Sequence, residues 1–493
     1  MYVHSRGRFL LAVLKSGGGT AARMVFGVLT TKILAVALGP SGIGLWALVK
    51  QTRETLVRFG ALGGQTAVTQ ALASREGHAR EHYVASASIL FLSGTIVISL
   101  VLLAFGKPLA SLLIGRTDEE AVTLVRFLTV SVGIGILQLF LFGILNGNRA
   151  IGRLAIANTL AAGVNAGLAW FVAPLVAEGH VLALVLLVTA GQFVSVCWSI
   201  HVAKRMGWLA ALLQWPGWSQ FRTDASHFLR MGGALLVAGQ ALTFGMLAVR
   251  IVILHGQGAS SVGFFDAAWT INATYVMLVL SSFATYFVPT MAASRDAPDR
   301  ARQINDAIRL LIAFILPLII FLLCFKDYVI IILYSNEFQE SARLLRWTLI
   351  GDCIRILCWP LSGPMIASGH AGRFALIEAT FTGVFLSGGG CLAVWLYGDY
   401  EIFGPVYILS MLSYAIVAAK YCRKFHGWSV RSSAFAGWTI GFGLVVVTAG
   451  VSWSTTPSLP ISIVAVVAGL SLGAWVNKIT PLQAYNLLRK TIL

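Results

Sequence analysis

Negative charge is what this sequence has least of. Only 19 of its 493 residues are Asp or Glu, against 36 Lys and Arg, and charged residues of both signs make up 11% of the chain. A water-exposed globule carries about a quarter of its residues as charges, so a soluble fold is excluded. The six cysteines (Cys197, Cys324, Cys353, Cys358, Cys391 and Cys422) form no CxxC pair and have no His ligand pattern nearby. They read as small core-filling side chains rather than a metal or redox site. Histidine is also sparse, with nine residues mostly near the ends of apolar segments. No Walker loop, zinc motif or G-x-S-x-G elbow is present, so no metal or other cofactor is expected and the chain does not read as an enzyme. The first apolar stretch is long, carries Lys15 and Arg23, and lacks the small-residue cleavage site of a signal peptide.

Long polar stretches are missing as well. The longest connection, about 204–230, holds Trp208, Trp215 and Trp218, which suit a membrane interface. The net charge of +17 and the pI near 10.0 therefore have no soluble domain in which to form a nucleic-acid groove, and no nucleic-acid partner is expected.

What is present is apolar: 57% of the chain is hydrophobic and the mean hydropathy is +0.82. Stretches of about 20 predominantly apolar residues recur at 9–36, 45–74, 83–105, 122–145, 154–176, 181–203, 231–254, 264–293, 310–325, 344–368, 374–396, 405–421, 433–452 and 461–475. An all-α integral membrane protein of about 14 transmembrane helices is expected. Loops on the side of the N-terminus, with both tails, hold 22 basic residues, whereas the opposite loops hold only Lys107, Arg116, Lys326 and Arg343. That split predicts both termini in the cytoplasm.

The sequence repeats itself. Residues 126–155 align without a gap on 346–375, so that Arg126 meets Arg346, Ile136-Leu137 meets Ile356-Leu357, Gly143 meets Gly363 and Gly152-Arg153 meets Gly372-Arg373. With a one-residue slip, Lys32-Ile33 through Gly44 aligns on Arg250-Ile251 through Gly263. Two six-helix lobes follow, 1–205 and 231–422, joined by a cytoplasmic linker at 206–230. An even number of spans per lobe implies a pseudo-two-fold axis along the membrane normal, with a site between the lobes. Residues 423–493 supply an additional helix pair, rich in small residues, and a cytoplasmic tail.

Ten basic residues stand within or at the rims of the spans: Lys15, Arg23, Lys32, Lys50, Arg53, Arg58, Arg126, Arg250, Arg346 and Arg355. Only Glu54, Asp266, Asp352 and Glu378 oppose them. A charge near a helix centre costs roughly 2.5–3.5 kcal/mol in lipid, so most of these cations must face protein or water. Arg126 and Arg346, near the outer ends, are expected to snorkel. Lys50, Arg53, Glu54 and Arg58 recur at i, i+3, i+4 and i+8, on one helix face, and with Lys32 and Arg250 are expected to line a polar cavity. Asp352 and Arg355, one turn apart, are expected to form an ion pair. Gly17-Gly18-Gly19 reads either as a tight helix crossing or as a hinge, and Pro289, Pro317, Pro360 and Pro364 are candidate kinks. For Asp266 and Glu378 two readings stay open: acids that take up a proton during transport, or permanent ion pairs that hold helices together.

The stretch Lys32-Ile-Leu-Ala-Val-Ala-Leu-Gly-Pro-Ser-Gly-Ile-Gly-Leu45, with Lys50-Gln51, Tyr334-Ser-Asn-Glu-Phe338, Leu344-Leu345 and Gly351-Asp352, resembles Wzx-type lipid-linked oligosaccharide flippases. These belong to the multidrug/oligosaccharidyl-lipid/polysaccharide exporter superfamily. The resemblance, over about 8–422, implies alternating access around a cationic lumen in the bacterial inner membrane. Its implied substrate is an undecaprenyl-diphosphate-linked repeat unit of O-antigen, enterobacterial common antigen or exopolysaccharide. Candidate substrate-binding residues are then Arg23, Lys32, Lys50, Arg53, Arg58, Arg250 and Arg355, and Glu54, Asp266, Asp352 and Glu378 are ion-coupling candidates. Implied partners are the membrane lipids and the polymerase and chain-length machinery of a polysaccharide pathway. Many such flippases have twelve spans, so the extra pair keeps fourteen-span lipid II flippases as an alternative. A drug or cation antiporter of the same superfamily is a third reading; it would need first-lobe carboxylates, and only Glu54 is available.

Overall fold

The computed structural model describes residues 2–209, 215–292, 294, 296–368, 370–429, 433–453 and 458–477. The side chains of Lys15 and of the loop and tail cations Arg6, Arg8, Arg295, Arg431, Lys478, Arg489 and Lys490 lie outside the described residues. Among those described, the regular structure is helical and no strand occurs. This is what lipid imposes, because a backbone in hydrocarbon must satisfy its own N–H and C=O groups. Among the described residues ten helices are long and apolar enough to cross a membrane, and the chain is a multi-pass membrane protein. Large apolar side chains such as Trp170, Phe171 and Trp395 stand exposed on them, as lipid-facing residues should.

In chain order the helices are α1 (Tyr2–Gly60), α2 (Gly64–Ser74), α3 (His78–Ala104), α4 (Gly106–Ile114), α5 (Glu119–Gly147), α6 (Ile151–Ala177), α7 (Ala183–Arg205), α8 (Trp218–Gln257) and α9 (Ala259–Ala292). They continue as α10 (Ala297–Leu333), α11 (Ser341–Ala367), α12 (Ala371–Glu378), a π-helical segment (Ala379–Gly388), α13 (Gly389–Tyr397), α14 (Phe403–His426), α15 (Ser433–Val451) and α16 (Leu459–Val476). The chain forms two compact units, Met1–Gly263 and Phe264–Leu493.

Local sequence explains the breaks. Helix runs through Gly17–Gly19, and α1 departs from helical geometry only at Gly39 (φ 62°, ψ −169°), a conformation that a side chain would strain, with Pro40 restarting the helix. The apolar stretch 45–74 is divided after Gly60, where Leu62 and Gly63 both take positive φ. In α10 the helix runs on through Pro317 and breaks instead at Phe325 (φ −112°, ψ 17°). Phe105, 220 residues earlier, ends α3 with nearly the same angles (φ −106°, ψ 24°). The same offset relates the starts of α6 and α12, at Ile151 and Ala371, and of α7 and α14, at Ala183 and Phe403. Helix boundaries thus follow the sequence repeat. α15 and α16 pack on α10 through small residues: Gly441 of α15 lies against Leu316, and in α16 Gly469 lies against Pro317 and Ile320 and Gly473 against Ala313.

Candidate functional site

The first unit contains an open-sided cavity of about 600 Å³. Arg23, Lys50, Arg53, Glu54 and Arg58 all line it. Arg23 and Arg58 are 35 residues apart, which a straight helix would separate by about 52 Å. Both reach one cavity because the chain turns back at the Gly39–Pro40 break. The i, i+3, i+4, i+8 phase of Lys50, Arg53, Glu54 and Arg58 does the rest, turning one face of the second arm toward the opening.

Four cations therefore meet one carboxylate. Among the described residues none of Arg23, Lys50, Arg53 and Arg58 stands in an ion pair. Lys50 and Arg58 are exposed at the cavity, whereas Arg53 is only 6% exposed. Its Nε donates to Ser131 Oγ at 2.7 Å, and its Nη2 is buried with no hydrogen-bond partner. A buried guanidinium with a free N–H edge and no carboxylate bonded to it is costly unless an anion completes it.

Gly135 on α5, which nothing in the sequence analysis singled out, holds that guanidinium in place. A Cβ added there would lie 2.6 Å from Arg53 Nη2 and 2.6 Å from Val57 Cγ2, inside van der Waals contact. The signal available in the sequence is the run Val132-Gly-Ile-Gly-Ile136 in the middle of an apolar helix. Gly135→Ala is expected to displace Arg53 and to cost about 1–3 kcal/mol of stability by overpacking. Transport measured in reconstituted vesicles should fall with it. Full transport by Gly135→Ala would mean that the guanidinium has room to work elsewhere.

The remaining sequence candidates are dispersed. Lys32 is half-buried and does not line this cavity; nine residues from Arg23, it falls on the opposite face of the first arm. Arg250 is 4% exposed, donates from Nη1 to the Met246 carbonyl at 3.0 Å, and is likewise absent from the cavity wall. Asp266 is half-buried. Arg355 belongs to a polar network in the second unit. There Asp352, fully buried, accepts from Tyr407 Oη at 2.6 Å and from Asn272 Nδ2 at 2.5 Å, while Tyr407 also bonds Arg355. Glu378 accepts from Tyr414 Oη at 2.7 Å. Tyr407 thus bonds both Asp352 and Arg355, the two residues expected to pair.

Sequence reasoning also passed over the carboxamides of the first-unit cavity: Gln65, Gln138, Asn158, Asn165, Gln192 and Gln240. The signal was there in Asn158 and Asn165, seven residues apart and so on one face of an otherwise apolar helix.

Residues 33–343 match the family model described as "Polysaccharide biosynthesis protein". The chain belongs to this family. It is 23% identical over 428 residues to the lipid III flippase of Escherichia coli, a match covering 85% of this chain and 99% of that one. Among solved structures, the lipid II flippase MurJ in an inward-closed conformation superposes with a TM-score of 0.72 at 11% identity, covering 98% of this chain and 100% of that one. An inward-facing multidrug resistance MATE family transporter of the MOP superfamily gives a TM-score of 0.64 at 17% identity, over 82% and 94%. The family member described here therefore has the fold of MurJ and of MATE transporters.

Proposed function

We propose that this family member is a flippase that carries an undecaprenyl-diphosphate-linked oligosaccharide from the cytoplasmic to the periplasmic leaflet of the bacterial inner membrane. The observation that carries the proposal is the cavity with four unpaired cations and one carboxylate inside a membrane-spanning unit. A diphosphate supplies the anionic charge that the protein withholds, and arginine grips it bidentately while lysine acts as a point charge. In this reading two six-helix lobes alternate access, fourteen spans place both termini in the cytoplasm, and the polyprenyl tail stays in lipid. The polar network of Asp352, Tyr407, Arg355, Glu378 and Tyr414 braces the second unit, and the polymerase and chain-length machinery receive the product.

The test is reconstitution into vesicles with a fluorescent undecaprenyl-diphosphate-linked glycan in the inner leaflet. Protein-dependent appearance of the glycan at the outer surface, read by lectin or periodate access, is the expected result. Exposure no faster than in protein-free vesicles would sink the proposal. A second reading, a lipid II flippase, draws support from the likeness to MurJ over 98% of the chain, which includes α15 and α16. Supplying lipid II in the same vesicles separates the two. A cation antiporter is disfavoured, because Glu54 stands alone among four positive side chains.

A further inference from the structure

The cavity has two chemically distinct walls. Its cations belong to α1, whereas Gln138 on α5, Asn158 and Asn165 on α6, Gln192 on α7 and Gln240 on α8 bring five carboxamides and no charge. A carboxamide within a membrane-spanning helix is unfavourable unless its two donors and its acceptor are satisfied.

The protein satisfies only part of this set. Asn165 Oδ1 accepts from the Gly191 N–H at 3.1 Å, and only a glycine fits there, since a Cβ would stand 2.3 Å from that same oxygen. This fixes the amide and leaves its Nδ2 donors for something else. Gln138 Nε2 donates to Ser195 Oγ at 2.9 Å, leaving its oxygen. Asn158 Nδ2 donates to the Leu154 carbonyl at 3.1 Å. The Oε1 atoms of Gln192 and Gln240 are buried and have no hydrogen-bond partner at all.

We propose that this wall is the subsite for the sugar attached directly to the diphosphate, and that the sugar is uncharged and bears both donors and acceptors, as an acetamido hexose does. The proposal rests on the flippase reading and refines its substrate. A carboxamide and an acetamido group pair reciprocally, N–H to C=O in both directions, and hydroxyls serve the remaining positions. An acidic sugar would instead be drawn to the cations. A lipophilic cation would leave the carboxamides unpaired, and a site built to hydrogen-bond its ligand rejects one that lacks the groups. A volume of 600 Å³, within the range of pockets that hold small ligands (about 300–1,000 Å³), suits a diphosphate and its first sugar rather than a whole oligosaccharide.

The subsite is tested by binding to the purified full-length protein in nanodiscs, with undecaprenyl diphosphate and undecaprenyl-diphosphate-N-acetylglucosamine as the two probes. The wild type should bind the sugar-bearing lipid about tenfold or more tightly than the bare one. Gln192→Met and Gln240→Met remove atoms with no protein partner, so their thermal midpoints should equal or exceed that of the wild type. Combined, they should erase the tenfold preference while retaining affinity for undecaprenyl diphosphate. If these variants keep the preference, or lose affinity for both lipids equally, the sugar subsite is overturned while the diphosphate reading stands. If the wild type binds neither lipid, the flippase reading falls and the subsite with it.

Discussion

Replacing Arg53 with alanine is expected to abolish glycan export while leaving protein abundance near normal. Arg53 is the one cavity cation that is almost wholly buried, tied to Ser131 through Nε and presenting an unpaired Nη2. Charge-assisted hydrogen bonds contribute about 1.5–3 kcal/mol each, so a bidentate grip on one phosphate corresponds to a loss of roughly two to four orders of magnitude in affinity. Lysine at this position should recover only a part, because it brings the charge without the fork. The folded protein should not suffer. The alanine variant no longer buries a guanidinium without a carboxylate, and the Ser131 hydroxyl can turn to a carbonyl of its own helix. A thermal midpoint at or above that of the wild type, with transport at background, is the expected pair of readings. Full transport by Arg53→Ala would remove it from the phosphate site.

How much of this site could be read from the sequence depends on how local each feature is. The apolar segments are a property of some twenty consecutive residues, and they emerged as helices. Lys50, Arg53 and Arg58 share a face by spacing alone, and the cavity gathers them. Lys32 was expected beside them because a charge near a helix centre is costly in lipid, but that cost does not fix its phase against Arg23. The carboxamide wall draws on four helices, so it has no signature in any one of them. Pro317 was expected to kink its span, yet the break falls at Phe325, the counterpart of Phe105; the end of the repeated helix, not the proline, sets it. Lys326 reads in the sequence as an outer-loop cation, but it is 4% exposed and donates to the Ser452 carbonyl at 2.9 Å.

Arg346 marks the same limit and carries the last prediction. Near the outer end of its span it was expected to snorkel, but its partner lies 55 residues onward, where no local pattern announces it. Nη2 donates to Glu401 Oε1 at 3.0 Å, and Nη1 donates to the Trp453 carbonyl at 2.6 Å. The guanidinium carbon stands 3.9 Å from the centre of the Trp453 ring, and Trp347 donates to the same Glu401 oxygen at 3.0 Å. Arg346 is 8% exposed, and together with Lys326 it places two cations on the carbonyls that follow α15. There they answer the unsatisfied C=O groups and the negative end of that helix. The effect is to fasten the end of α15, at Ser452 and Trp453, to α10 and α11 and to the turn that carries Glu401 within the second unit. Arg346→Ala is expected to lower stability by on the order of 3 kcal/mol, since it removes two charge-assisted hydrogen bonds at a mostly buried site. Hydrogen exchange should accelerate in the last turns of α15. Arg346→Lys separates fastening from snorkelling: lysine snorkels as well as arginine does, so a snorkelling residue would tolerate the change, whereas one lysine cannot reach Glu401 and Trp453 together. The repeat-related Arg126, exposed and without a hydrogen bond among the described residues, provides the control, and Arg126→Ala should leave the midpoint within about 0.5 kcal/mol of the wild type. Equal midpoints for Arg346→Lys and the wild type would return Arg346 to the membrane interface and leave the helix pair held by apolar packing alone.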